Sequence, residues 1–180
     1  MGTSLHDRLV ESIHFVDGHA EIWRVFENPS LFAEVIDALA SPWESAGPTK
    51  VAGIEARGFI VGAAVALRLG AGFVSIRKEG SLFAGSKIEL ESEPDYRGRK
   101  QRLSLRRDSL GPTDRVVLVD DWCERGSQAL AAKQLIESCG AVFLGVSVIV
   151  DELPHGAATA FPRYVSLVRA DELHADGSQP

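Results

Sequence analysis

The sequence predicts an α/β fold with a central, mostly parallel sheet and helices on both faces, and three segments carry that expectation. Val51-Ala52-Gly53-Ile54 is a short apolar run. The turn Glu55-Ala56-Arg57-Gly58 follows, then Phe59, Gly62, Ala63, Ala66 and Leu67 at helical spacing, with Gly70 as the stop. Gly72 to Gly80 reads as a second strand, ending in the cations Arg77 and Lys78. Val116-Val117-Leu118-Val119 is too short for a helix and rich in β-branched residues, so it reads as a strand buried on both faces in a parallel sheet. Asp120 and Asp121 follow at its C-terminal end. A polar turn holding Gly126 and Ser127 then opens into good helix formers from Ala129 to Glu137, closed by Gly140.

The other elements fit around these. Residues 5–16 and 30–40 read as short amphipathic helices, Ser41-Pro42 and Gly47-Pro48 punctuate the approach to the first strand, and Arg163 to Val168 is a last strand. No internal repeat is present. A chain of 180 residues is expected to form one domain, residues 1–180, with a helical segment over about 1–45, a core over 46–170 and a polar, flexible tail over 171–180.

Composition narrows the class. With 45% hydrophobic and 24% charged residues the chain reads as an ordinary soluble globular protein, and a net charge of −6 argues against a general nucleic-acid binder. The longest apolar run, Val142 to Val150, is less than half of a membrane span of about 20 residues. The N-terminus lacks a signal-peptide core, and His6 stands where a myristoylation motif needs Ser or Thr. The cytoplasm is the expected compartment, without a membrane partner. Cys123 and Cys139 have no zinc-like spacing and are expected to be free thiols; Glu124 beside Cys123 would raise its pKa, so no catalytic cysteine is assigned.

The chemistry gathers at predicted strand ends. Ligands of open α/β sheets bind beyond the carboxyl ends of the strands, and a turn feeding a helix N-terminus offers unpaired N–H groups to a phosphate. Paired aspartates there suit sugar hydroxyls or Mg²⁺, because carboxylates only accept hydrogen bonds and are hard oxygen ligands. A solvated acidic turn is the alternative. Arg97, Arg99, Lys100, Arg102, Arg106 and Arg107 form a basic block, readable as a solvated face or as a loop that neutralises a bound anion.

Residues 116–128 resemble the PRPP-binding motif of type I phosphoribosyltransferases. Gly53-Ile54-Glu55-Ala56-Arg57-Gly58-Phe59, then Gly72-Phe73-Val74 and Arg77-Lys78, are similar to the adenine phosphoribosyltransferase family nearly letter for letter. Ile22 with Val25 to Phe32 looks like that family's hood, and Leu103 to Leu110 runs into the acidic strand as the family does, so roughly residues 5 to 170 are covered.

The resemblance implies a type I phosphoribosyltransferase-like fold with a small N-terminal hood. It implies Mg²⁺-dependent transfer of the phosphoribosyl group from PRPP to a nitrogenous base, a purine such as adenine, by a homodimer. Asp120 and Asp121 would hold the ribose hydroxyls and, directly or through water, the metal. Glu124, Arg125, Gly126, Ser127 and Gln128 would take the 5′-phosphate. Glu55, Ala56, Arg57 and Gly58, in a turn with a non-proline cis peptide, would hold the diphosphate with Arg77 and Lys78. Asp95 is the nearest match to the catalytic carboxylate of the closing loop.

The chain also departs from the family. Glu124-Arg125-Gly126-Ser127-Gln128 replaces Ala-Thr-Gly-Gly-Thr, Asp95-Tyr96-Arg97-Gly98 replaces Leu-Glu-Tyr-Gly, Ser81 replaces a Lys, and Phe15-Val16-Asp17-Gly18 stands near the place of the hood's Asp-Phe-Pro-x-Pro-Gly. A transferase for another acceptor and a non-catalytic module sensing PRPP or a nucleotide therefore stay open beside the purine enzyme.

Overall fold

The computed structural model describes residues 3–16, 19–80, 85–94, 98 and 100–173. Its main sheet has seven strands in the order β5-β6-β4-β3-β7-β8-β9, where β3 is Lys50–Ile54, β4 Gly72–Lys78, β5 Lys87–Glu91, β6 Arg102–Arg106, β7 Arg115–Cys123, β8 Val142–Asp151 and β9 Tyr164–Arg169. The pairs β4-β3, β3-β7, β7-β8 and β8-β9 are parallel, while β6 pairs antiparallel with both β4 and β5. The expected α/β architecture is thus present, with an antiparallel flank that the sequence reading did not resolve.

Helices cover both faces. Val117 and Val119 of β7 pack with Val61 and Val65 of α4 (Arg57–Leu69) and with Val35 and Leu39 of α3 (Pro29–Ala40). Val116 and Leu118 pack the other way, with Ala132, Leu135 and Ile136 of α5 (Ser127–Ser138). Both faces of β7 are therefore desolvated, which is why it reads as a continuous apolar run. Helices α4 and α5 end as expected, at Gly70 with φ 65° and just before Gly140 with φ 81°.

Two boundaries differ from expectation. Strand β7 continues through Asp120, Asp121 and Trp122 to Cys123, because the ladder to β8 holds Asp120 opposite Val148 and Cys123 opposite Asp151. The acids therefore lie within the strand rather than after it. The N-terminal helix α1 (Leu5–Ser12) stops before β1 (His14–Val16), which pairs with β2 (His19–Glu21) in a separate hairpin, and α2 (Trp23–Glu27) precedes α3. Residues 170–172, at the junction with the expected tail, form a 3₁₀ turn with Ala170 buried.

Close packing of β3 on α4 sets the position of the first turn. A Cβ on Gly53 would lie 2.2 Å from the carbonyl oxygen of Gly58, so only bare backbone lets the strand and the first turn of the helix touch.

Candidate active site

A cleft of about 950 Å³ opens at the carboxyl edge of the parallel strands, where β3 leads into α4 and β7 into α5. Ligands of such sheets bind at this edge. The cleft is lined by Glu55, Ala56, Arg57, Lys78, Asp120, Asp121 and the whole turn Glu124 to Gln128, so the structure gathers most of the predicted residues into one concavity.

The first wall is the turn after β3. Its Glu55–Ala56 peptide is cis, as the resemblance implied. Glu55 is held at both ends, its N–H donating to the Ile76 carbonyl at 2.9 Å and its carboxylate accepting from the Lys78 N–H at 3.0 Å. Gly58 sits so close to the floor that a Cβ there would lie 2.6 Å from Asp120 Oδ1.

Alternation along β7 gives the two aspartates different surroundings. Asp121 is buried at 5% exposure on the α4 side, and Arg57 Nε approaches its Oδ2 to 2.7 Å. The N–H is not aligned with that oxygen, which is left without a hydrogen bond. Asp120 points to the other face, half-buried, and accepts the Asp121 N–H at 3.0 Å. Burial pushes the Asp120 carboxyl well above the usual carboxylate range and the charge of Asp121 adds to the rise, while Lys78 pulls the other way without offsetting it.

The second wall is the turn after β7. Gly126, at φ 78°, is the N-cap of α5, and no side chain caps the helix. The first-turn N–H groups of α5 therefore have no intrahelical acceptor, and Ser127, Gln128 and Ala129 line the cleft. Glu124 and Arg125 are exposed at its rim. Unpaired N–H groups of this kind are able to receive an anion, here without the Thr-rich turn of the family.

Strand β4 separates the predicted cation pair. Lys78 shares a face with the buried Val74 and Ile76 and lines the cleft; Arg77 shares the opposite face with Phe73, which packs edge-on against Phe59 of α4 at 5.8 Å, and does not line it. The described cations of the basic block also stay outside. Lys100 pairs with Glu91 at 3.1 Å, Arg102 with Glu79 at 3.8 Å and Arg106 with Asp108 at 2.6 Å, and Arg102 and Arg106 belong to β6 rather than to a loop. Arg97, Arg99, Ser81 and Asp95 lie outside the described residues.

Cys123 is buried and its thiol is pushed up to about 12, chiefly by burial, with Asp120 and Asp151 adding to the rise. Both cysteines are free. The rise expected from Glu124 thus comes mainly from burial, and a thiol so raised is a poor nucleophile.

The sequence reading missed several lining residues. Trp122 donates from Nε1 to Glu152 at 2.7 Å and meets Phe15 of the hairpin edge to face at 6.1 Å, giving the cleft an aromatic wall; Gln101 enters from the start of β6. The only signal for Trp122 was its place inside the acidic motif, and Gln101 carried none.

A mostly parallel sheet with an acidic strand end between two strand-to-helix turns is the arrangement of the phosphoribosyltransferase class, and the model of the phosphoribosyl transferase domain matches residues 23–167. Among curated relatives, the adenine phosphoribosyltransferase of Azorhizobium caulinodans is 40% identical over 131 residues, covering 73% of this chain and 72% of that protein. That of Acidothermus cellulolyticus is 37% identical over 150 residues, covering 83% and 82%. Among solved structures, the Giardia lamblia enzyme complexed with 9-deazaadenine superposes with a TM-score of 0.83 at 26% identity, covering 93% of this chain and 98% of that one. The Trypanosoma brucei enzyme in complex with AMP, pyrophosphate and ribose-5-phosphate gives 0.81 at 25% identity, covering 97% and 84%. The chain belongs to the adenine phosphoribosyltransferase family of phosphoribosyltransferases.

Proposed function

We propose that this protein transfers the phosphoribosyl group of PRPP to adenine, forming AMP and releasing diphosphate. The observation that carries the reading is the placement of Asp120 between the Arg57-bearing turn after β3 and the uncapped N-terminus of α5, within one cleft. In the reaction the bond from the anomeric carbon to diphosphate oxygen breaks, its electron pair leaves with diphosphate, and a ring nitrogen of the base bonds to that carbon and loses its proton. Positive charge develops on the ribose ring, and a carboxylate facing it stabilises that charge in a site shielded from water.

Each wall has its part. Ser127, Gln128 and Ala129 offer backbone N–H groups, and Arg125 a guanidinium, to the 5′-phosphate; Arg57 and Lys78 face the diphosphate. Asp120 meets the ribose, where an arriving cationic centre favours its ionised form against the burial that raises its pKa. Asp121 orients Arg57. Asp95 is proposed for the closing loop on the resemblance alone.

Mg²⁺ in phosphoryl chemistry is held by one or two carboxylates, with substrate oxygens and water completing its shell. Asp120, which lines the cleft, fits that donor set directly, while Asp121, whose Oδ2 faces Arg57, could reach the metal only through water. When bound there the metal supplies charge neutralisation to the departing diphosphate. The family resemblance further supports a homodimer in the cytoplasm. Among the described residues no helix is long and apolar enough to cross a membrane.

A second reading, transfer to a different nitrogenous acceptor, is favoured by the broad Phe15–Trp122 wall, which suits any planar heterocycle. One experiment separates the readings. The protein is incubated with PRPP, Mg²⁺ and a panel of bases, adenine first, with product identified by mass spectrometry and diphosphate release followed in parallel. AMP formation that requires Mg²⁺ is expected. Product with a non-purine base alone retires adenine, and PRPP binding without turnover across the panel makes the protein a sensor.

A further inference from the structure

We propose that Asp151 is a positioning residue for the 5′-phosphate turn, an assignment that rests on the functional reading above. Asp151 ends β8, is 7% exposed and does not line the cleft, so it acts on bound substrate only through its neighbours. Its carboxylate collects three donors from different parts of the chain. Oδ1 accepts the Leu153 N–H at 2.9 Å and the Tyr164 hydroxyl at 3.1 Å, and Oδ2 accepts Arg169 Nη1 at 2.8 Å. The two oxygens of one carboxyl group here accept from a main-chain N–H, a phenol and a guanidinium together.

What these donors hold is the back of the phosphate turn. Leu153 presses on Gly126 so closely that a Cβ there would lie 3.0 Å from Leu153 Cδ2 and 3.7 Å from the Phe161 ring. Phe161 in turn stacks on Tyr164 at 5.8 Å. The Glu152 N–H donates to the Cys123 carbonyl at 2.8 Å, tying the same short segment to the residue before the turn. Asp151 therefore fixes Leu153 and Tyr164, which with Phe161 form the surface against which Gly126 and the start of α5 are seated. Backbone N–H groups bind an anion only when aimed at it, so loosening this surface weakens the phosphate contact while leaving the acceptor side of the cleft intact.

The test measures PRPP affinity apart from chemistry. Asp151→Asn keeps the shape but loses charge and acceptor capacity. Calorimetry with PRPP and Mg²⁺, without base, should show affinity lowered about tenfold or more, and the KM for PRPP should rise in proportion while the KM for adenine and kcat stay within about threefold. Asp151→Glu should recover part of the loss. Tyr164→Phe removes one donor only, so it keeps the test alive if Asp151→Asn fails to fold; a rise of about threefold in the dissociation constant is expected. Wild-type PRPP affinity in folded variants overturns the proposal. So does a fall in apparent kcat in step with the unfolded fraction while both KM values stay at the wild-type level. A wild-type protein that binds no PRPP overturns the functional reading and this proposal with it.

Discussion

Asp120 and Asp121 are adjacent in sequence yet stand in different electrostatic surroundings, because successive side chains of a strand face opposite ways. Asp121 has Arg57 beside it, whereas Asp120 is half-buried next to another carboxylate and near Gly58. The consequence for stability has a definite sign. Asp120 titrates higher in the folded chain than in the unfolded one, so its contribution is fully present below the unfolded value of about 4 and is lost as pH rises through the folded value. Asp120→Asn keeps the neutral form at every pH. It should raise the melting temperature at pH 7.5, with the gain shrinking as pH falls towards 4, and lower kcat about 100-fold or more, about 2.7 kcal/mol in the barrier. Calorimetry and steady-state rates on one preparation check both halves. Full activity, or a lower melting temperature at pH 7.5, would remove Asp120 from its role at the ribose.

The strand-to-helix units are where the sequence spoke most clearly. Two apolar runs, each followed by a polar turn and a helical pattern, placed β3-α4 and β7-α5 because hydrophobic periodicity and Gly stops are local signals. The antiparallel flank carried a local signal too, since β5 reads Lys87-Ile88-Glu89-Leu90-Glu91 and β6 Arg102-Leu103-Ser104-Leu105-Arg106 in strict alternation. Five-residue strands in so charged a stretch also read as a charged loop, and only the packing of α5 shows what their apolar side covers. The separation of Arg77 from Lys78 follows from alternation along the predicted strand, but which of the two faces the cleft needed the packing to be seen. Within the phosphate element, main chain and side chain can be tested separately. Gly126→Ala forces a φ of 78° on a Cβ that meets Leu153, which should cost about 1–2 kcal/mol of stability in urea unfolding and weaken PRPP binding. Arg125→Ala, at an exposed rim position, should leave unfolding unchanged and weaken PRPP binding about tenfold, an effect that added salt diminishes. Equal affinity for wild type and Arg125→Ala would leave the phosphate to the backbone alone.

Over the whole molecule, a ligand that touches β3, β4, β7 and the start of α5 ties together elements that separate on unfolding. PRPP with Mg²⁺ at about 100 times its dissociation constant should stabilise the fold by about 2.7 kcal/mol, a rise of about 5–10 °C in melting temperature. Thermal scans with PRPP, with adenine and with both would show it, and no shift with PRPP would contradict the assignment of the cleft. The register of β3 on β7, with Lys50 opposite Val116 and Gly53 opposite Val119, carries a further consequence. The two turns proposed to hold anions hang from neighbouring strands about 4.8 Å apart, so their separation is set by main-chain pairing rather than by loop length. The sheet thus works as a ruler. On the proposed function it suits a ribose carrying an anion at each end, and drift at individual turn residues, as at Glu124 or Gln128, would change the grip at one end without altering the length being measured.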